Sequence, residues 1–283
     1  MNTIRAIKDL RAALDAPRRG GRVIGLVPTM GALHEGHLSL LRRAREHCDL
    51  VVMSLFVNPS QFNEAADLAA YPRDEERDLA LAEREGVDFV FAPSPEEMYP
   101  PGFATTVSVA GLTEPLEGEH RGRAHFDGVT TVVTKLLNIV GPDVAYFGQK
   151  DAQQAIVIGR LVADLDIPVA IEVCPTAREP DGLAMSSRNV LLSPGQRSDA
   201  PSLHRALEAI QVAVDAGERD PAAARAQALA ELTSPELELE YLELVSPHTL
   251  APIERLDGEA LAVVAARVGP TRLIDNEVIT GRH

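Results

Sequence analysis

The chain has 283 residues, of which 45% are hydrophobic and 24% charged; a domain set of this size buries about 75% of its unfolded surface. A net charge of −15 excludes a broad nucleic-acid or anionic-membrane surface, and the absence of Trp with only 4% aromatics excludes base-stacking platforms. In so acidic a chain, isolated Lys and Arg residues in loops are informative as anion contacts.

The N-terminus lacks the continuous apolar core of a signal peptide, and Ile4, Ile7, Leu10 and Leu14 suit an amphipathic helix. No apolar run approaches the ~20 residues of a membrane span, so the expected location is the cytoplasm. Val23–Val27 predicts a buried strand that breaks at Pro28; a helix follows from about Leu38 to His47. Further strands are expected near 50–57, 87–93, 105–111, 143–148 and 167–174. Helices are expected over 71–86, 128–141 and 151–164. Nearly all-apolar strands alternating with helices predict a parallel sheet covered on both faces.

After about residue 176 the pattern changes. Ala-rich helical stretches at 194–216 and 221–232 precede E-L-E-L-E-Y-L-E-L-V, whose strict alternation predicts an antiparallel strand with one wet face, and two further strand-like runs. The expected division is a Rossmann-like α/β domain over 1–176 and a smaller α+β domain over 177–283. Cys48 and Cys174, far apart in sequence, imply no disulfide framework and are expected as buried thiols.

The chemistry concentrates in P-T-M-G-A-L-H-E-G-H at 28–37. A strand, a glycine-bearing loop and a helix start suit an anion, because the first helical N–H groups are unpaired and carry partial positive charge. His34 and His37 add donors there. Taken alone, the pair also fits two surface histidines. A zinc site is set aside: the spacing is three, Gly36 intervenes and no third ligand is near.

Open parallel sheets bind ligands beyond the carboxyl ends of their strands. The segments expected there are 28–37, N-P-S-Q-F at 58–62, G-Q-K-D at 148–151 and the loop carrying M-S-S-R at 185–188. Each also has a purely structural reading: Asn58 and Gln61 as a turn, Lys150 as a surface lysine, Ser186–Arg188 as a helix cap with a flanking charge, and Gln153 and Gln154 as helix surface. Their joint occurrence on one edge favours a site.

These segments, together with Y-P-R at 71–73, E-G-E-H-R-G-R-A-H-F-D-G-V at 117–129, F-G-Q-K-D-A-Q-Q at 147–154 and D-G-L-A-M-S-S-R-N at 181–189, resemble the pantoate–β-alanine ligase family in content and order. H-E-G-H and M-S-S-R look like the two nucleotide signatures of the class I aminoacyl-tRNA synthetase-like nucleotidyl transferase superfamily. The resemblance implies that ATP and pantoate give pantoyl adenylate and pyrophosphate, that β-alanine then displaces AMP, and that Mg²⁺ accompanies the phosphates. It places Met30, Gly31, Ala32, Leu33, His34, Glu35, Gly36 and His37 around ATP. With them go Gly148, Gln149, Lys150, Asp151, Met185, Ser186, Ser187 and Arg188, and Ala177 on the adenine side. Gln61, Gln154 and Asn58 would serve pantoate, and Gln61 also β-alanine. His37 falls on the family's proton-donor position; His34, Lys150 and Arg188 join it as the expected catalytic set, and no residue is expected to be a metal ligand. Gln149 stands where many members have Glu, and Ala177 where Val is frequent.

The long polar segment 112–127, together with the resemblance, predicts a homodimer through the first domain, and the second domain is expected to close over the ATP site. The turn formers Pro180, Asp181 and Gly182, where the α/β pattern gives way, predict that 178–190 is a mobile gate; the alternative is a rigid interdomain turn. A related nucleotidyltransferase would have no use for the paired glutamines. A tRNA synthetase would need a basic extension, and a dinucleotide oxidoreductase a G-x-G-x-x-G after the first strand. A non-catalytic adenylate-binding protein would not need every polar motif residue.

Overall fold

The apolar runs of the first half form strands separated by helices whose ends are marked by caps. The computed structural model describes residues 1–281. In chain order the first elements are β1 (Asn2–Ile4), α1 (Ile7–Arg19), β2 (Ile24–Thr29), α2 (Glu35–His47), β3 (Leu50–Leu55), α3 (Ala65–Ala70), α4 (Glu75–Arg84), β4 (Phe89–Phe91) and α5 (Pro95–Met98). They continue with α6 (Glu117–Arg121), α7 (Arg123–Val140), β5 (Val144–Gly148), α8 (Ala152–Asp164) and β6 (Ala170–Cys174). The strands make one six-stranded sheet in the order β1-β4-β3-β2-β5-β6, and every pair is parallel. Both faces are covered. Leu10, Leu14, Leu26, Val133 and Leu137 belong to one apolar cluster; Val27, Leu41, Ala44, Met53 and Tyr146 belong to another.

The second half holds α9 (Pro194–Asp199), α10 (Ser202–Asp215), α11 (Pro221–Leu229), β7 (Leu237–Val245), β8 (Glu259–Val268) and β9 (Thr271–Thr280). The last three form an antiparallel sheet in the order β7-β8-β9. Its core joins Leu203, Leu207 and Ile210 of α10 to Leu242, Val264, Leu273 and Ile279 of the strands. The chain divides into two compact units. The first holds Met1–Gly148 and Gln153–Cys174; the second holds Gln149–Ala152 and the residues from Pro175 onward. The short stretch Gln149–Ala152 thus belongs with the C-terminal unit although it is flanked on both sides by the first.

Several elements differ from the sequence expectation. Ile4 lies in a strand rather than in the N-terminal helix, because β1 adds to the sheet edge beside β4. β2 runs through Pro28, which lies past the last β2–β5 pair, Leu26–Ala145, so a missing N–H breaks nothing on that side. The expected strand at 105–111 is absent. Helix α7 starts at Arg123, five residues early, behind Gly122 at φ 74°. The single helix expected at 194–216 is broken into α9 and α10 around Pro201. Cys48 and Cys174 are free and buried, as expected.

Candidate active site

In the first unit the strand order reverses at β2, which has β3 on one side and β5 on the other. The crevice beyond the carboxyl ends at such a point is where open α/β sheets bind ligands. The loop leaving β2 passes through Gly31 at φ 84° and Ala32 at φ 52° before α2 begins. For alanine that left-handed conformation costs roughly 1–2 kcal/mol. Asp78 of α4 holds it: one carboxylate oxygen accepts the Ala32 N–H and the other the Leu33 N–H, each at 2.8 Å. Asp78 is only 1% exposed. A side chain on Gly31 would stand 2.8 Å from that carboxylate, so glycine there serves both the backbone angle and the close approach.

His34 is the N-cap of α2. Its Nδ1 accepts the Gly36 N–H at 3.2 Å, and His37 Nδ1 accepts the His34 N–H at 3.4 Å. The two rings lie 4.2 Å apart. An Nδ1 that accepts has no proton, so each neutral imidazole carries its hydrogen on Nε2. With Nδ1 accepting, Nε2 is the donor nitrogen of each ring, and donors at a helix N-terminus suit phosphate oxygens. Glu35 is tied instead to Arg42, at 2.5 and 3.0 Å, and that hydrogen bond holds its carboxyl below the usual range.

After β3 comes a 3₁₀ turn, Pro59–Gln61, capped by Asn58. Asn58 is 1% exposed and its side chain is fully engaged. Its Nδ2 donates to Gln61 Oε1 (3.0 Å) and to the Gly128 carbonyl (3.1 Å). Its Oδ1 accepts from Ser60 and from the Tyr99 hydroxyl. With Gln61 Oε1 occupied, the amide of Gln61 is oriented as a double donor, the right polarity for a carboxylate or hydroxyl oxygen. A Cβ on Gly128 would come within 2.4 Å of the Ser60 carbonyl, so the turn is seated directly on α7. Of the two glutamines on α8, Gln153 is consumed structurally. Its amide bonds Glu117 N, Leu112 O and Pro115 O, pinning the 112–117 segment inward. Gln154 is half-buried, and among the described residues no hydrogen bond occupies its amide.

In the second unit, Gln149–Asp151 form a 3₁₀ turn that carries Lys150, whose side chain is 18% exposed and whose Nζ lies 3.7 Å from Asp151. Ala177 and Met185 are backbone neighbours, through the Met185 N–H to Ala177 O bond and the Arg178–Ala184 bridge. Ser186 caps the 3₁₀ helix Ser187–Leu191 by accepting the Arg188 N–H, so its hydroxyl performs the structural role its sequence position also suggested. The segment expected as a mobile gate is a hairpin held by Glu179–Leu183 and Gly182–Glu179 backbone bonds. Arg178 forks onto Asp275 at 2.6 and 3.1 Å. These bonds tie residues 178–183 to β9 of the same unit. Next to Asp275, Asn276 bonds Gln149 and Lys150.

Sequence reasoning missed Asp78, Asp275 and Asn276. Asp78 looks like an ordinary acid in the first turn of a helix, and the other two like positions on an alternating strand. Their contacts lie 45 or more residues away in sequence, and no local signal marks them.

The family described as pantoate-beta-alanine ligase matches residues 2–278. The chain is 55% identical to the pantothenate synthetase of Moorella thermoacetica over 280 residues, covering 99% of both chains. It is 53% identical to that of Cereibacter sphaeroides, covering 96% of this chain and 98% of the other. Among solved structures it is similar to the pantothenate synthetase of Thermus thermophilus, with 49% identity, a TM-score of 0.92, and 98% and 99% of the two chains covered. It is also similar to the Francisella tularensis pantoate-beta-alanine ligase complexed with beta-gamma ATP and beta-alanine, at 33% identity, a TM-score of 0.81, and 98% and 97% coverage. A family match over nearly the whole chain, relatives above 50% identity and the polar loops at the sheet's switch point agree: this chain belongs to the pantoate–β-alanine ligase family.

Proposed function

We propose that this ligase works in two half-reactions, with roles divided among the residues above. As a member of its family, the chain is an ATP-dependent enzyme that joins pantoate to β-alanine through pantoyl adenylate, releasing pyrophosphate and AMP. In the first half-reaction a pantoate carboxylate oxygen attacks the α-phosphorus and pyrophosphate leaves. In the second the β-alanine amine attacks the acyl carbon, loses a proton and displaces AMP. Neither step needs a protein nucleophile; both need in-line positioning and neutralisation of developing charge.

His34 and His37, as Nε2–H donors, and Lys150 and Arg188, as cations, serve the phosphates. Met30–Leu33, Gly36, Gly148, Gln149, Asp151, Ala177 and Met185–Ser187 complete the nucleotide contacts. Gln61 and Gln154 hold pantoate with neutral amides, which leave its carboxylate free to attack. Asn58 acts through Gln61, and Glu35 through the helix start. The observation that carries this reading is the double histidine cap at the exit of β2, in which the Nδ1 atoms of His34 and His37 accept backbone N–H groups at the start of α2.

Among the described residues no cluster of three or more His, Cys, Asp or Glu side chains is placed to hold a metal. We read magnesium as part of the Mg–ATP substrate, as the family resemblance implies. Among the same residues no helix is long and apolar enough to cross a membrane. We place the enzyme in the cytoplasm as a homodimer formed through its first unit, which sedimentation tests. The decisive experiment for the chemistry is pantoate-dependent exchange of labelled pyrophosphate into ATP without β-alanine. Exchange is expected; its absence in folded protein overturns the two-step reading.

A further inference from the structure

On β9, residues 272, 274, 276, 278 and 280 share one face. Val278 is 39% exposed on that face and Thr280 is exposed, yet Asn276 is only 3% exposed. What covers it is the turn Gln149–Asp151. Asn276 Nδ2 donates to the Gln149 and Lys150 carbonyls, each at 2.9 Å, and its Oδ1 accepts the Gln149 side-chain amide at 2.9 Å. Both backbone carbonyls around Lys150 are thus satisfied by a single side-chain nitrogen. Among the uncharged side chains, an amide is what donates twice from one atom while accepting at another.

The neighbour Asp275 performs the matching task on the opposite face. It is 4% exposed and receives the Arg178 fork. Arg178 also donates to the Gly182 carbonyl (3.1 Å), Asn276 O (3.4 Å) and Glu277 (3.2 Å). The Asn276 N–H returns to Asp275 at 2.8 Å, which locks the two residues together.

We propose that Asn276 is a positioning residue for Lys150, and that the pair Asp275–Asn276 fixes both phosphate-side segments of the second unit, 149–151 and 178–188, to one strand. The inference rests on the reading of Lys150 as a phosphate contact. Its physical content is register: with the turn seated on Asn276, Lys150 keeps a constant place relative to the hairpin that leads to Ser186–Arg188. A displacement of about 1 Å in such a group costs on the order of 10²-fold in rate.

The test is a double-mutant cycle in the full-length enzyme, read by pyrophosphate exchange. Asn276→Ala should lower exchange by about 10–100-fold while the protein stays folded. Asn276→Asp should lower it at least as far, because a carboxylate oxygen then opposes two carbonyl oxygens. In the Lys150→Ala enzyme, Asn276→Ala should add less than about 3-fold, because a residue acting through Lys150 has nothing left to position. A merely structural asparagine would give the same fold loss in both backgrounds, and that result overturns the proposal. Near-normal exchange in Asn276→Ala beside a damaged Lys150→Ala also overturns it and leaves the reading of Lys150 standing. Unchanged exchange in Lys150→Ala overturns that reading and the proposal together. Should the alanine variant not fold, Asn276→Ser, which keeps one donor, takes its place in the cycle.

Discussion

The two units support their site segments by different means. In the first, the loop after β2 is organised mainly at short range: His34 caps the helix it precedes, His37 closes the box three residues on, and Asn58 orients Gln61 three residues on. Asp78 braces that loop from a distance, and the Asn58 turn is also tied to Gly128 and Tyr99, 70 and 41 residues away. In the second, the turn 149–151 and the hairpin 178–184 depend on β9, about 90 to 130 residues further along, through Asp275 and Asn276. A cap can be rebuilt from its own neighbours. A turn held by a distant strand exists only when that strand is folded. Loss of a short-range support should therefore damage chemistry more than stability, and loss of a long-range one should damage both.

The sharpest break of this contrast is Asp275→Ala. It leaves Arg178, whose side chain is 17% exposed, without its fork partner and with Glu277 as its remaining carboxylate, so the loss should lie toward the lower end of the about 3–5 kcal/mol that breaking a buried pair costs. Urea unfolding should show that loss together with poor exchange activity; a loss below about 1 kcal/mol would place the pair outside the support of the unit. His37→Ala comes next. It should reduce adenylation by on the order of 10²–10³, while chemical denaturation shows a loss of only about 1 kcal/mol, the value of a helix cap. Normal turnover with a large stability loss would reverse its assignment.

Asp78→Asn tests the distant brace of the loop after β2. An amide keeps one acceptor and turns its NH₂ toward a backbone N–H, leaving Ala32 or Leu33 unsatisfied at a cost of about 1–3 kcal/mol. Exchange should fall by about 10-fold or more, on the same misplacement scale. An added Ala32→Gly, which relieves the left-handed strain, should recover part of the stability. No recovery would mean that the carboxylate does not hold that backbone angle.

The smallest effect belongs to Glu35→Gln. Glu35 and Arg42 are 47% and 45% exposed, so solvent screening limits the pair to about 0.5 kcal/mol. Because Arg42 lowers the Glu35 carboxyl in the folded state, this contribution is present above the unfolded carboxylate range and is lost as pH falls through the lowered folded value. The difference between the two proteins should therefore be measurable at pH 7 and vanish in acid. A difference that persists in acid would assign it to something other than this ion pair.

The sequence by itself determined the alternating α/β pattern, the later antiparallel sheet, the burial of both cysteines and the family, because each rests on local periodicity or on contiguous motifs such as H-E-G-H and M-S-S-R. It also placed the candidate loops after strands, where a parallel sheet puts them. The tertiary structure decided the rest. It made Asn58 a support for Gln61, separated a structural Gln153 from the half-buried Gln154, and attached Gln149–Ala152 to the C-terminal unit. It brought Asp78, Asp275 and Asn276 to the backbone around the candidate residues. The reason is that a hydrogen bond spanning 45 to 127 residues leaves no periodicity in the chain: an aspartate that braces a distant loop and one that merely starts a helix are the same letter until the fold closes around them.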